Sequence, residues 1–357
     1  MKLRSTSARS AVLATALLLT TTACGGGTEP AAETAPSTGP ASAEPAGISG
    51  EITVYNAQHE SMTQAWVDEF TEQTGVEVTL RQGSDTEMSN QILQEGERSP
   101  ADVFITENSP AMTQVENAGL FSDLTEETEQ NVPEEYRPST NKWAGVAARS
   151  TLFVYNPEKV PEADLPESLL DLADPEWSGR WGAAAGGADF QAIVSAMLDV
   201  EGEEATADWL GAMKDSAKIY PKNGAAMKAV NSGEVDAAVI YHYYYTADQA
   251  GTGENSSNVA PYYFKGEDAG AFVSVSGAGV LESSDNPAAA NAFLEFITSK
   301  EGQETLSTGS DYEYPISADV APREGLVPLE ELEAPAIDPA DLNGEKVVEL
   351  MTSAGLL

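Results

Sequence analysis

The chain holds one cysteine and two histidines among 357 residues, so it has neither a disulfide framework nor a Cys/His zinc cluster. Positive charge is as scarce: 18 Lys and Arg stand against 58 Asp and Glu, a formal charge of -40 with a sequence pI near 4.1. Such a body repels polyanions, which excludes nucleic acid and makes a bare anionic membrane a poor partner. Catalytic signatures are missing too. There is no G-x-x-x-x-G-K-[ST], no H-E-x-x-H and no G-x-S-x-G, and Ser276-Gly277-Ala278-Gly279 does not complete a dinucleotide fingerprint. No internal repeat of roughly 20 to 50 residues is present, which argues against solenoids and propellers. What the chain does have is 41% apolar residues, enough to build cores for about two domains of roughly 100 to 200 residues each.

The ends of the chain read differently from its middle. Lys2, Arg4 and Arg9 precede an apolar run from Ala11 to Leu19 broken only by Thr15, the pattern of a signal peptide over residues 1–23. The run is shorter than the about 20 residues a membrane-spanning helix needs. It ends in Ala23-Cys24 followed by Gly25-Gly26-Gly27, which resembles a bacterial lipoprotein lipobox and makes Cys24 the expected lipidation site and first residue of the mature chain. Residues 24–49 are rich in Gly, Pro, Ala, Ser, Thr and Glu and cannot bury enough surface to fold. They read as a tether with an r.m.s. span on the order of 25 Å. The expected location is therefore extracytoplasmic, lipid-anchored to the outer face of the cytoplasmic membrane.

Alternation and helical spacing then repeat along the body. Glu51 to Ala57 reads as a strand, Ser61 to Thr74 as a helix with Met62, Trp66 and Phe70 inward, Val76 to Leu80 as a strand, Asp85 to Glu95 as a helix, and Ala101 to Thr106 as a strand. After the long strand-like run Val146 to Tyr155, a second series follows: Trp181 to Ala184, a helix after Asp189, Ala217 to Tyr220, a helix from Gly224, and Asp236 to Tyr241. Ala271 to Leu281 reads as a strand returning to the first series. Pro287 opens a helix continuing to Thr298, and the last helix is Gly344 to Ser353. Strands separated by helices predict parallel α/β sheets with right-handed crossovers.

The most unusual local feature is Tyr241-His242-Tyr243-Tyr244-Tyr245 at the end of a predicted strand. Residue types alone fit an aromatic strand end packed in a core or interface. His59 after the first strand and Glu107 after the third belong, however, to the same carboxyl ends where ligands gather in open α/β sheets. Two phenols, a carboxylate and an imidazole would make a hard, oxygen-rich site with one nitrogen. Ionising two phenols at neutral pH costs about 8 kcal/mol, which a trivalent ion such as ferric iron offsets and a divalent ion seldom does. No D-x-[DN]-x-[DN]-G loop suggests calcium.

The segments ITVYNAQHE (52–60), PADVFITE (100–107), Trp177-Ser178-Gly179-Arg180, the run 219–245 ending in YHYYY, GAFVSVSGAGVL (270–281), YPISADV (314–320) and LEAPAI (332–337) together resemble the ferric-ion-binding proteins. These are extracytoplasmic solute-binding components of bacterial ABC importers. The resemblance implies an α/β, two-lobed periplasmic-binding-protein-like fold of type II, each lobe a mixed sheet flanked by helices, with a ligand cleft between lobes and no catalysis. It implies lobe 1 from 50–151 and 271–324, lobe 2 from 152–270, and a C-terminal segment 325–357 packed on lobe 2. Ferric ion would be the transported ligand, held by His59, Glu107, Tyr243 and Tyr244, with an ABC permease as partner and the protein a monomer. In the family a small Ser-Gly-Ala turn and two Asn residues hold an accompanying anion such as phosphate or carbonate. Here the turn reads Gly187-Ala188-Asp189, one Asn is kept as Asn223, and the other is Tyr241; Arg149 could balance an anion. Asp189 is equally expected as a helix cap. Two other readings stay open at this level: a carrier of a thiamine- or polyamine-like cation with the tyrosines as an aromatic box, and a tethered hydrolase using Glu107 and Asp189.

Overall fold

The computed structural model describes residues 48–357; the signal segment, Cys24 and nearly all of the tether lie outside the described residues. Among the described residues nine strands form: β1 (Glu51–Asn56), β2 (Glu77–Gln82), β3 (Val103–Ile105), β4 (Ala144–Tyr155), β5 (Trp181–Ala183), β6 (Ala217–Ile219), β7 (Ala237–Tyr241), β8 (Ala260–Tyr262) and β9 (Val273–Val280). They are ordered β2-β1-β3-β9-β4-β7-β5-β6, with β8 on β4. Within each series pairing is parallel, β1 with β2 and β3, β5 with β6 and β7. The strand–helix alternation alone predicts only the parallel pairs; the sheets are mixed, as the family resemblance implies, because β9 runs antiparallel to both β3 and β4, and β4 antiparallel to β7.

The centre explains how two lobes share one path of strands. All twelve residues of β4 are buried. Its first half, Ala144 to Ser150, pairs with β9, and its second half, Thr151 to Tyr155, pairs with β7. One strand thus passes from one sheet to the next, and the change of partner falls between Ser150 and Thr151. In β9, Gly277 and Gly279 are required by packing: a Cβ at Gly277 would stand 2.5 Å from Met112 and one at Gly279 2.8 Å from Phe121. The glycines of that segment are close-approach positions in a strand.

Hydrophobic cores lie on both faces of each sheet. Around β1, β3 and β9, one face packs Trp66, Phe70, Phe293 and Ile297, and the other packs Tyr55, Met88, Phe104, Phe121 and Trp143. Around β5 and β7, Trp177, Trp181, Phe190 and Trp209 fill one face while Leu152, Val230 and Ile240 fill the other. Burial of these large side chains at about 25 cal/mol per Å² is the main stabilising term. The C-terminal segment is shared: Leu326 and Leu329 pack into the first core, and Val347 and Met351 of the helix Gly344–Ala354 into the second. It begins against lobe 1 before reaching lobe 2.

Candidate metal centre

The carboxyl ends of the parallel strands carry the site. Three residues beyond β1, His59 precedes the helix Glu60–Thr74. Glu107 lies two residues beyond β3. Beyond β5, Asp189 occupies the first turn of the helix Ala188–Glu201, and beyond β6, Asn223 begins the helix Asn223–Ser232. Sequence spacing placed Tyr243 and Tyr244 at a strand end; in the structure β7 stops at Tyr241, and both tyrosines belong to the first turn of the helix His242–Ala250. Free N–H groups and the helix dipole there favour negative charge, so this first turn is a suitable place for phenolates.

The four residues singled out for the ligand set come together from separate elements. Nε2 of His59 stands 3.0 Å from Oε1 of Glu107, its ring meets the Tyr243 ring edge-on at 5.2 Å, and the Tyr243 and Tyr244 rings lie 4.3 Å apart, tilted by 31°. On the far side of the imidazole, Nδ1 is 3.4 Å from Asp311 and 3.5 Å from Glu313. Burial alone would lower the His59 pKa, but hydrogen bonding to Asp311 and Glu107 outweighs it and lifts the value to about 10. Glu107 is held below its usual range because the His59 hydrogen bond and the Arg149 charge overcome burial. Burial, followed by the nearby Asp189 charge, pushes Tyr243 well above 10 and Tyr244 up to about 12. Without a metal, the site is an imidazolium–carboxylate pair beside two neutral phenols.

Asp189 does not cap its helix. Gly187 is the N-cap and there is no side-chain cap bond. Its carboxylate accepts from Nδ2 of Asn223 at 2.7 Å, from the Tyr243 hydroxyl at 3.1 Å and from Nδ2 of Asn108 at 3.2 Å. Burial and the Glu107 charge raise its pKa to about 6. The expectation that Arg149 balances an anion is modified by a residue that sequence reasoning missed. Arg149 is fully buried and its Nη2 donates to both oxygens of Glu313 at 2.6 and 2.7 Å, with Asp189 4.0 Å from Nη1. The 164-residue separation of Arg149 and Glu313 hides that pair from any local pattern. Tyr241 donates to Asn108 at 3.4 Å, and Gly187 and Ala188 form the turn that brings Asp189 in. A cavity of about 950 Å³ lies elsewhere: Val273 and Val275 of β9 line it, while Ser274 and Ser276 point to the opposite face toward Asn108 and Gln58. The chemistry of the side chains, not cavity size, therefore marks the site.

No group of three or more His, Cys, Asp or Glu suited to a metal occurs among the described residues; a site at this position depends on its phenols. A family model described as bacterial extracellular solute-binding protein matches residues 98–335. The chain belongs to this family. Among its relatives, the Fe(3+)-binding periplasmic protein of Serratia marcescens is 58% identical over 306 residues, covering 86% of this chain and 90% of the relative. The major ferric iron-binding protein of Neisseria meningitidis serogroup B is 37% identical over 309 residues, covering 86% and 93%. The crystal structure of iron-bound HitA from Pseudomonas aeruginosa superposes with a TM-score of 0.79 at 40% identity, covering 85% of this chain and 99% of that one. The two-lobed fold of these solute-binding proteins is the fold described above.

Proposed function

We propose that this solute-binding protein captures ferric iron in the cleft between its lobes and hands it to an ABC importer permease, acting as a monomer and without catalysis. The observation that carries the reading is the meeting of His59, Glu107, Tyr243 and Tyr244 from both lobes at one point, in a chain similar to ferric-binding proteins over most of its length. Phenolates of Tyr243 and Tyr244 and the Glu107 carboxylate match the charge of a trivalent ion, and His59 adds a nitrogen once its proton leaves. Asp189 stands where the family pattern places an anion and supplies that charge from the chain itself. Phosphate is thereby disfavoured, and water or a small anion such as carbonate completes the shell. The same proposal includes cleavage after residue 23, lipidation of Cys24, a tether to residue 49, and lobes divided at 50–151, 152–270, 271–324 and 325–357. Because the Tyr243 and Tyr244 rings lie against each other, tilted by 31° with centroids 4.3 Å apart, rather than facing across a gap, the geometry does not favour an aromatic box for an organic cation.

Adding ferric iron to the metal-free protein tests the reading. Phenolate-to-iron charge transfer should give a visible band, weakened or shifted in Tyr243→Phe and Tyr244→Phe with affinity lower by orders of magnitude, and little changed in Tyr241→Phe. An unchanged band in both of the first two variants refutes the site.

A further inference from the structure

Asn108 immediately follows Glu107 and stands at the N-cap of the helix Ser109–Asn117, where Asn ordinarily accepts a hydrogen bond from the first turn. It makes no such bond. Its side chain is 2% exposed and is spent on other partners. Nδ2 donates to Asp85 at 3.3 Å and to Asp189 at 3.2 Å, while Oδ1 accepts from Ser274 at 3.0 Å and from Tyr241 at 3.4 Å. Asp85 belongs to lobe 1, where it also accepts the backbone N–H groups of Glu107 at 2.8 Å and Asn108 at 3.1 Å. Asp189 and Tyr241 belong to lobe 2. One amide therefore joins the backbone that aims Glu107 to the carboxylate that faces Tyr243.

We infer that Asn108 is an interlobe latch: a positioning residue that stabilises the closed cleft and orients Asp189 as the lobes meet. The chemistry requires an amide. A carboxylate at this position would set three acidic groups against one another, and a hydroxyl lacks the two donors needed to bridge Asp85 and Asp189. Bonds to Asp189 and Tyr241 exist only when the lobes are together, so they favour closure selectively, which is the condition for shifting a conformational equilibrium. A cavity of about 340 Å³, lined by Asp85, Asn108, Gln114, Ala188, Gln191 and Val348, opens between the lobes beside the latch. That opening gives a small chelator a route to the seam. The latch should thus set how fast bound iron escapes, while leaving His59, Glu107 and the two tyrosines in place.

The inference rests on the iron-capture reading, and the test separates the two. Wild type, Asn108→Ala and Tyr241→Phe are loaded with ferric iron, release to excess citrate is followed by loss of the visible band, and small-angle scattering is recorded for the loaded and metal-free proteins. Loss of hydrogen bonds to buried charged groups should accelerate release from Asn108→Ala by roughly tenfold to a hundredfold, with a larger radius of gyration for the loaded protein. Tyr241→Phe, which removes one hydroxyl and keeps the ring, should accelerate release by about twofold to tenfold and carries the test if Asn108→Ala does not fold. Unchanged release and scattering overturn the latch even if thermal stability falls, because a purely structural cap would alter stability alone. A wild type that takes up no iron refutes the capture reading instead; scattering of the metal-free proteins then decides the latch, and an unchanged radius overturns it.

Discussion

Breaking the pair between Arg149 and Glu313 should damage the metal-free fold far more than removing both partners. Both side chains are fully buried, and Nε and Nη1 of Arg149 have no hydrogen-bond partner, so Glu313 makes the side-chain hydrogen bonds to the guanidinium, while Glu107 and Asp189, the latter 4.0 Å from Nη1, add charge at longer range. Deleting one partner of a buried pair costs about 3 to 5 kcal/mol, whereas apolar replacement of both is often close to neutral. Glu313→Leu should therefore cost about 3 to 5 kcal/mol. Arg149→Met leaves a carboxyl that burial already pushes toward its neutral form; protonating a carboxyl of ordinary pKa near pH 7 costs about 4 kcal/mol. In the double variant the losses should fall well short of their sum, giving a coupling of about 2 kcal/mol or more. Urea unfolding of the metal-free proteins, followed by circular dichroism, measures all four corners of the cycle. Additive losses, or a Glu313→Leu cost below about 1 kcal/mol, would show that solvent or other groups compensate Arg149 and that the argument from burial is wrong.

Two further outcomes rest on the site's geometry and a third on the sequence of the leader. His242 is fully buried, accepts from the Ser150 N–H at 3.2 Å and donates to the Tyr312 carbonyl at 2.8 Å, and burial lowers its pKa to about 4. Between the ordinary value near 6.5 and about 4, the unfolded chain binds a proton that the folded chain refuses, so stability falls with falling pH, by about 3 kcal/mol in full. His242→Gln should flatten that part of the pH–stability curve relative to wild type; parallel curves would refute the assignment. Phosphate should strengthen iron binding in Asp189→Ala and not in wild type, as read by competition with a chelator, and equal strengthening in both would show that Asp189 does not guard the anion position. Cys24→Ala should release the protein from the membrane into the medium, with retention on the membrane counting against lipidation.

Much of this architecture could be read from local pattern. The helix at Asp85–Glu95 has the bounds its spacing predicts, because Ser84 caps it and Gly96 ends it, and the strands leading to His59, Glu107 and Tyr241 are each marked by short apolar runs. Family resemblance, not spacing, linked His59, Glu107 and the tyrosine pair. What stayed hidden depends on contacts between distant residues. The role of Asp189 is set by Asn108, Asn223 and Tyr243, which are 81, 34 and 54 positions away, so its place near a helix start was equally compatible with capping. Antiparallel crossing by β9 was hidden for the same reason: a strand buried on both faces has the same apolar pattern in either direction. The helix Glu203–Ser216 carries a sparse apolar stripe, Trp209, Leu210 and Met213, too short to stand out from its acidic surroundings.

The insertion of β9 between β3 and β4 also dictates an order of assembly as the chain emerges from a ribosome or a translocation channel. Lobe 2's strands β5, β6 and β7, together with the second half of β4, occupy one continuous stretch of sequence and can pair as soon as Tyr241 has appeared. Lobe 1 cannot finish at that stage. β3 and the first half of β4 each lack a neighbour until Val273–Val280 arrives, leaving two unpaired backbone edges through the synthesis of more than a hundred residues. Such edges invite pairing with other chains, and a sheet that must wait for a distant strand folds slowly. The sheet of the second lobe is thus the first able to pair, although its core is completed only by Val347 and Met351 of the last helix, and the sheet that carries His59 and Glu107 depends on a late strand.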